Sequence, residues 1–308
     1  MSFAQRSLRR ARDPGLSRRG AALLFVLAAL ALVLPVCLGL ARVVTDAALE
    51  RGLRRDERLV QEFLIEADAP IQEFLAAEAG DVILRPDSPY PALLVLDDRF
   101  EAGAAALELR IVAWDQCGLV PLDVARSASP IRLALPREVI ETLEANRRRG
   151  ELPGLDWFAE EDGESPFPPA PSVQHIDGGT RLSWPGSAQR VVGAWVATHN
   201  TAKLNVSTAP LAILEAALRE LQRGGIDRVV AARQKGEHVP IPPAGTDAPQ
   251  DEPRRIKLVS TSDCFAFRVD ARAGKVRRSF WLVYQPGAVS EADQPRWRCV
   301  QRLLITTG

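Results

Sequence analysis

From Ala21 to Ala41 the chain reads AALLFVLAALALVLPVCLGLA, 21 residues without a charge. As a helix this run would be about 31 Å long, against roughly 30 Å for the hydrocarbon core of a bilayer. It predicts one membrane crossing, and no later stretch is comparable, so the rest of the chain is expected on one side of the membrane. Arg6, Arg9, Arg10, Arg12, Arg18 and Arg19 precede the run, opposed only by Asp13. The whole chain carries 39 basic and 39 acidic side chains, so its neutrality conceals a basic start and an acidic remainder. The leading arginines predict a cytoplasmic N-terminus and a C-terminal domain in the periplasm, although Arg42, Arg51, Arg54, Arg55 and Arg58 weaken the asymmetry. With 46% apolar and 25% charged residues, that domain is expected to form a packed core rather than a disordered tail. Four cysteines without a paired CxxC exclude a disulfide-stapled miniprotein and a structural zinc site.

Four readings of this N-terminus compete. A lipoprotein signal needs small residues before its cysteine, where Pro35-Val36 precede Cys37. A twin-arginine signal fits Ser17-Arg18-Arg19 but not the small Ala21 and Ala22 that follow. An ordinary cleaved signal would use Gly39-Leu40-Ala41. A prepilin-type signal would be cut after Gly20, on the cytoplasmic side of the apolar run, which keeps the helix in the mature protein. The next segment favours this last reading. Asp46 to Ala67 continues with helical periodicity, placing Leu49, Leu53, Val60 and Leu64 on one stripe, interrupted only by Gly52. A helix half in lipid and half packed on a globular head is the architecture of pilins. A signal-anchor followed by an ordinary helix remains the plain alternative.

Beyond a second short helix near Pro70 to Ala79, Leu107 to Ala113 alternates apolar and polar side chains as a half-buried strand does. Ser262 to Asp270 and Arg278 to Tyr284 read as strands around a turn at Ala271 to Gly274, and Arg298 to Ile305 as a last strand. Between these pieces the period becomes helical. Pro136 to Arg148 opens with proline and ends in arginines, and Pro210 to Leu221 carries leucines at spacings of three and four. Gly224-Gly225 then separates it from Ile226 to Arg233. Gly163 to Pro171 and Pro240 to Pro253 read as proline-rich loops. The expected fold class is α+β: a long N-terminal helix on a small antiparallel sheet, with an inserted helical block.

Lys203-Leu204-Asn205-Val206-Ser207-Thr208-Ala209-Pro210, followed by a helix, a turn and a helix ending in Arg233, resembles the "INVNTAP, helix, turn, helix ending in Arg" signature of the type II secretion minor pseudopilin K family, the general secretion pathway protein K family. Ser207 stands where that family usually has asparagine. The resemblance implies a leader over 1–20, a transmembrane segment over 21–41, a pilin-like α/β head over 42–118 and 257–308, and an inserted helical domain over 119–256. It implies cleavage by a prepilin peptidase between Gly20 and Ala21, with methylation of the new N-terminus. Most pseudopilins carry a glutamate at the fifth mature position, which here is Phe25. The family's explanation is a place at the tip of the pseudopilus, where no subunit lies above to pair with that carboxylate. The implied partners are the other minor pseudopilins, the prepilin peptidase and the inner membrane, with no enzymatic role. In the signature itself, Asn205, Ser207 and Thr208 are suited to capping the helix that follows, and Pro210 needs no donor partner there.

Other constellations are weighed beside this one. The helix pair after Asn205 also looks like a helix-hairpin-helix unit of a membrane-anchored DNA-binding protein, with Arg219, Arg223, Arg228 and Arg233 to meet phosphates. Its turn reads Arg223-Gly224-Gly225-Ile226-Asp227 rather than Gly-x-Gly, and the domain is net acidic, so nucleic acid is not an expected partner. His175, His199 and His238 are the only histidines, and no metalloprotease, hydrolase or P-loop motif occurs, so no catalytic residue and no cofactor is assigned. Asp97-Asp98 and Glu160-Glu161-Asp162 are the candidate calcium ligands, calcium being known in the resembling family; both lack EF-hand spacing and read first as solvated acidic loops. Cys264 and Cys299, placed on candidate neighbouring strands, are the expected disulfide pair in an oxidising compartment.

Overall fold

The computed structural model describes residues 14–77, 82–84, 88–102, 105–148, 167–176, 179–197, 199, 202–243, 256–287 and 297–305. These belong to two compact units, Met1–Arg55 and Asp56–Gly308. Helix α1, Pro14–Glu66, runs unbroken through Pro35 and Gly52. Among the described residues it is the one helix long and apolar enough to cross a membrane, and its residues from Leu23 to Val44 are exposed. The expected apolar stripe divides: Leu49 and Leu53 are 55% and 47% exposed, whereas Val60 is 1% exposed and Leu64 is buried. Within the second unit the helix joins the core through Val60 and Leu64.

The helical hydrogen bonding passes through a turn at Ala67 into α2, Asp68–Ala77, whose Pro70 sits in the first turn where no amide donor is needed. Strands β1, Ala92–Ala102, and β2, Ala105–Asp115, form an antiparallel hairpin. After β2 the chain enters a long excursion. It contains β3 (Val120–Pro121), α3 (Leu122–Ala125), α4 (Pro130–Leu133) and α5 (Arg137–Arg148). The hairpin β4 (Ser172–Ile176) and β5 (Gly179–Ser183) follows, then β6 (Val196–Ala197), β7 (Lys203–Asn205), α6 (Leu211–Glu220), α7 (Ile226–Lys235) and β8 (Lys257–Val259). The chain rejoins the sheet at β9, Phe265–Ala273, and finishes with β10, Val276–Pro286, and β11, Trp297–Ile305.

The five strands lie in the order β1-β2-β9-β10-β11, every neighbour antiparallel. Because Asp115 pairs with Phe265 in the β2–β9 register, the excursion leaves and returns at one place. It is less purely helical than its sequence period suggests: β3 pairs with β6 and β7 with β8, both in parallel. Lys257–Val259 thus pairs with the signature strand, and the sheet proper resumes only at Phe265. The apolar faces of α3 to α7 share a core with Leu204, Val206 and Leu258.

Alternation sends each strand's side chains to two faces. On one, Leu107, Leu109, Ile111, Phe265, Phe267 and Val269 pack against Val60, Leu64, Ile71 and Phe74. Phe74 meets Phe265 and Phe267 edge-on, both at 5.8 Å between ring centres. The other face carries an aromatic cluster in which Trp114 contacts Trp184 at 4.9 Å and Tyr90 contacts Trp195 at 5.3 Å. The β9–β10 turn is narrower than expected: only Gly274-Lys275 separates the strands, Gly274 has φ of 54°, and a Cβ there would collide with the Asp56 carboxylate. Truncating Phe74 to alanine removes the ring wedged between α2 and the sheet, so Phe74→Ala should lower unfolding free energy by about 3 kcal/mol or more, read from denaturant titration of the detergent-solubilised protein.

Candidate functional site

The signature segment folds into a buried polar junction between the excursion and the sheet. β7 presents Asn205 at the end of a parallel ladder, and the turn Val206 to Ala209 then reverses toward α6. Asn205, Ser207, Thr208 and Asp115 are each almost wholly buried. At the centre lies the carboxylate of Asp115, the last residue of β2. Its Oδ1 accepts from the Cys117 amide at 2.8 Å. Its Oδ2 accepts from Asn205 Nδ2 at 3.0 Å, from Ser262 Oγ at 2.6 Å and from the Thr208 hydroxyl. Asn205 Nδ2 also donates to Ser262 Oγ at 2.7 Å, while Asn205 Oδ1 accepts from the Ser207 amide at 2.9 Å.

The expectation that this segment caps the following helix is therefore corrected. The N-cap position of α6 is Pro210, and no side chain bonds there. Asn205 and Thr208 direct their donors to Asp115, a charged acceptor that makes stronger hydrogen bonds than a neutral one, while Asn205 Oδ1 is taken by the Ser207 amide. Pro210 keeps a local role, its carbonyl accepting from the Leu214 amide at 3.0 Å. The turn is held from outside as well. Leu84 N donates to Ser207 O at 3.0 Å, Val206 N to Val259 O at 2.8 Å, and Ser207 Oγ to Ser260 O at 3.2 Å. Buried Arg233 of α7 donates twice to the Val206 carbonyl, at 2.9 Å and 2.6 Å. Gly118 allows this closeness, since a Cβ there would lie 2.6 Å from Pro91 Cβ and 2.8 Å from Thr208 Oγ1.

Burial pushes the Asp115 carboxyl above the usual carboxylate range, and the four donated hydrogen bonds only partly oppose it. Desolvation also raises the thiol of Cys117, and that of Cys264 to about 12, so both are unreactive in the folded protein. Asp263 between them forms an ion pair with Lys203. Burial lowers the Arg233 guanidinium to about 10, which leaves it charged at neutral pH. The arrangement has the chemistry of a fastener: each polar group is directed at another protein group.

Asp115, Ser262 and Gly118 do not stand out in the sequence. An aspartate closing an apolar strand and followed by x-x-Gly reads as a turn, and nothing local reveals that its acceptors are filled from Asn205 and Ser262.

The other residues that the sequence marks as candidates are scattered. Gly20 and Ala21 lie on the helical backbone of α1, and Phe25 is exposed on it. The expected cysteine pairing is corrected: β10 lies between the segments that carry Cys264 and Cys299, with Tyr284 registered to both Phe265 and Cys299, and both thiols are free. Asp97 is an ion-pair partner of Arg110 at 2.9 Å rather than an open calcium ligand, and Glu160-Glu161-Asp162 lie outside the described residues. Among the described residues no group of three or more His, Cys, Asp or Glu is placed to hold a metal. His199 is half-buried, His238 is exposed, and the side chain of His175 is outside the described set. Of the arginines weighed for DNA contact, Arg233 is buried on Val206, Arg223 donates to the Pro242 carbonyl at 2.5 Å, and Arg219 lies 3.7 Å from Glu215.

No family model matches the chain, and no curated protein matches it. Among solved structures, a chain of the GspK-GspI-GspJ complex from the enterotoxigenic Escherichia coli Type 2 Secretion System is similar at 14% identity, over 80% of this chain and 96% of that chain, with a TM-score of 0.38.

Two outcomes follow from the junction. Asp115→Ala strands several buried donors and should lower stability by about 3 kcal/mol, whereas Thr208→Val removes one donor and should lower it by about 1 kcal/mol, both by denaturant titration. A carboxyl whose pKa is higher in the folded than in the unfolded chain contributes stability fully below the unfolded value, near 3.8, and loses it as pH rises toward the folded value. The wild-type protein should therefore lose stability with rising pH above about 3.8 more steeply than Asp115→Asn does.

Proposed function

We propose that the chain is a non-enzymatic minor pseudopilin of a type II secretion pseudopilus, acting in protein export across the outer membrane. The observation that carries this reading is α1: one uninterrupted helix whose apolar first part is bare along Leu23 to Val44 and whose last turns bury Val60 and Leu64 among sheet residues. A bare apolar helix of that length is unstable in water and suited to lipid. The same helix then provides the apolar ridge of an α+β head. The antiparallel sheet, the excursion between β2 and β9, and the signature segment folded at its root support the pseudopilin K type in particular.

On this reading the arginine-rich start stays in the cytoplasm and the soluble unit lies in the periplasm. A prepilin peptidase cuts between Gly20 and Ala21 and methylates Ala21. Phe25 occupies the position where a glutamate would otherwise need a partner amine within lipid, which suits a subunit at the tip with other minor pseudopilins below it.

N-terminal sequencing of the protein recovered from membranes tests this directly. A methylated start at Ala21 is expected. A start at Arg42 would make it a secreted soluble protein, an intact Met1 would make it a signal-anchored one, and either would overturn the proposal. Co-purification with other minor pseudopilins is the second expected result.

A further inference from the structure

The sheet face opposite Val60, Leu64 and α2 carries two transverse rows of polar residues, each one residue per strand. In the inner row Asp97, Arg110, Asp270 and Ser279 are in register across β1, β2, β9 and β10. This row is satisfied internally. Arg110 pairs with Asp97 at 2.9 Å and donates to the Pro171 carbonyl at 2.9 Å. Buried Arg268 clasps Asp270 through two bonds of 2.8 Å and 3.0 Å, and Ser279 donates to the same carboxylate.

The outer row is Arg99, Glu108, Arg272 and Arg277, again in register across the same four strands. It is only partly satisfied, Arg272 Nε donating to the Gly274 carbonyl at 3.3 Å. Arg272 stands directly opposite Arg277, and like charges so placed repel. Each reaches a carboxylate only at 3.9 Å, Arg272 to Glu108 and Arg277 to Asp270, and their side chains stay 57% and 53% exposed. Arg99 is exposed and has no ion-pair partner among the described residues. With Asp97 and Asp270 neutralised by Arg110 and Arg268, one carboxylate faces three guanidiniums among the described side chains of these rows. Asp97, Arg110 and Asp270 of the inner row line a cavity of about 300 Å³ together with all four residues of the outer row.

We propose that this outer row is a docking site for an extended acidic peptide segment of a partner protein. At about 4.8 Å between strands, Arg99 and Arg277 are separated by roughly 14 Å across the sheet. A single phosphate would cover only the Arg272–Arg277 pair. An extended peptide laid across the strands offers a side chain on one face about every 7 Å, so acidic residues at alternate positions reach Arg99 and the arginine pair together. Guanidinium groups favour such carboxylates through paired hydrogen bonds, and the bound acid relieves the Arg272–Arg277 repulsion.

Anisotropy titration of the detergent-solubilised full chain with a fluorescein-labelled peptide carrying glutamate at alternate positions tests the site. Saturable binding that weakens with added salt is expected. Arg99→Gln and Arg277→Gln should each weaken it by about fivefold or more, while Arg137→Gln on α5, which removes an exposed helix-surface pair with Glu141, should not change it. The proposal is overturned by no saturable binding, by an equal loss in Arg137→Gln, or by duplex DNA binding as tightly as the peptide. Inorganic phosphate competing fully at a site indifferent to Arg99→Gln would do so too, by making it a small-anion site.

Discussion

A carboxylate removed from water is tolerated only where donors replace its hydration, and at Asp115 those donors come from parts of the chain far apart in sequence. Cys117 supplies one from the exit of β2, Asn205 and Thr208 supply two from the turn after β7, and Ser262 supplies one from the approach to β9. The strand end cannot be buried until the excursion has folded. The excursion, in turn, has its polar turn satisfied only when the strand end is present. Sheet and excursion are thereby made interdependent at a polar junction, beside the aromatic core in which Trp114 and Trp281 of the sheet meet Trp184 and Phe167 of the excursion.

Around that junction the constraints are steric as much as electrostatic. Gly118 leaves Thr208 the space to reach Asp115, and Arg233 closes the far side of the turn through the Val206 carbonyl. The second helix of the α6–α7 pair is thereby anchored through one face, where Val229 and Arg233 are buried. The arginines of this helix-turn-helix divide: Arg223 and Arg233 are held by backbone carbonyls, whereas Arg219 and Arg228 are exposed.

Much of the fold was legible where periodicity was strong. Leu107 to Ala113 and Arg298 to Ile305 alternate as strands, and the leucines of α6 recur at helical spacing, so those elements fall where the pattern puts them. β1 was not legible, because ALLVLDDRFEA is an apolar run followed by charges rather than an alternation, and the bulge between Leu94 and Leu96 shifts its phase. α3 and α4 are single turns, too short to show a period. The signature segment was recognisable but its mechanism was not, since Asn, Ser and Thr before a helix ordinarily bond to local amides, whereas here Asn205 and Thr208 also donate to distant Asp115 and Ser207 to the Ser260 carbonyl. The cysteine pairing failed for a topological reason: two strands adjacent in the candidate set proved to have β10 between them.

The return of the excursion to the strand beside the one it left has a consequence for how such a chain can change. β2 and β9 would be an ordinary hairpin if a short turn joined Asp115 to Phe265, so the register of the sheet does not depend on what lies between. Length and content there can vary where the four donors still reach one carboxylate and Trp184 and Phe167 still cover the sheet. The molecule thus has a single hinge point of descent, a place where whole segments can be gained, lost or exchanged while the helix-backed sheet keeps its shape.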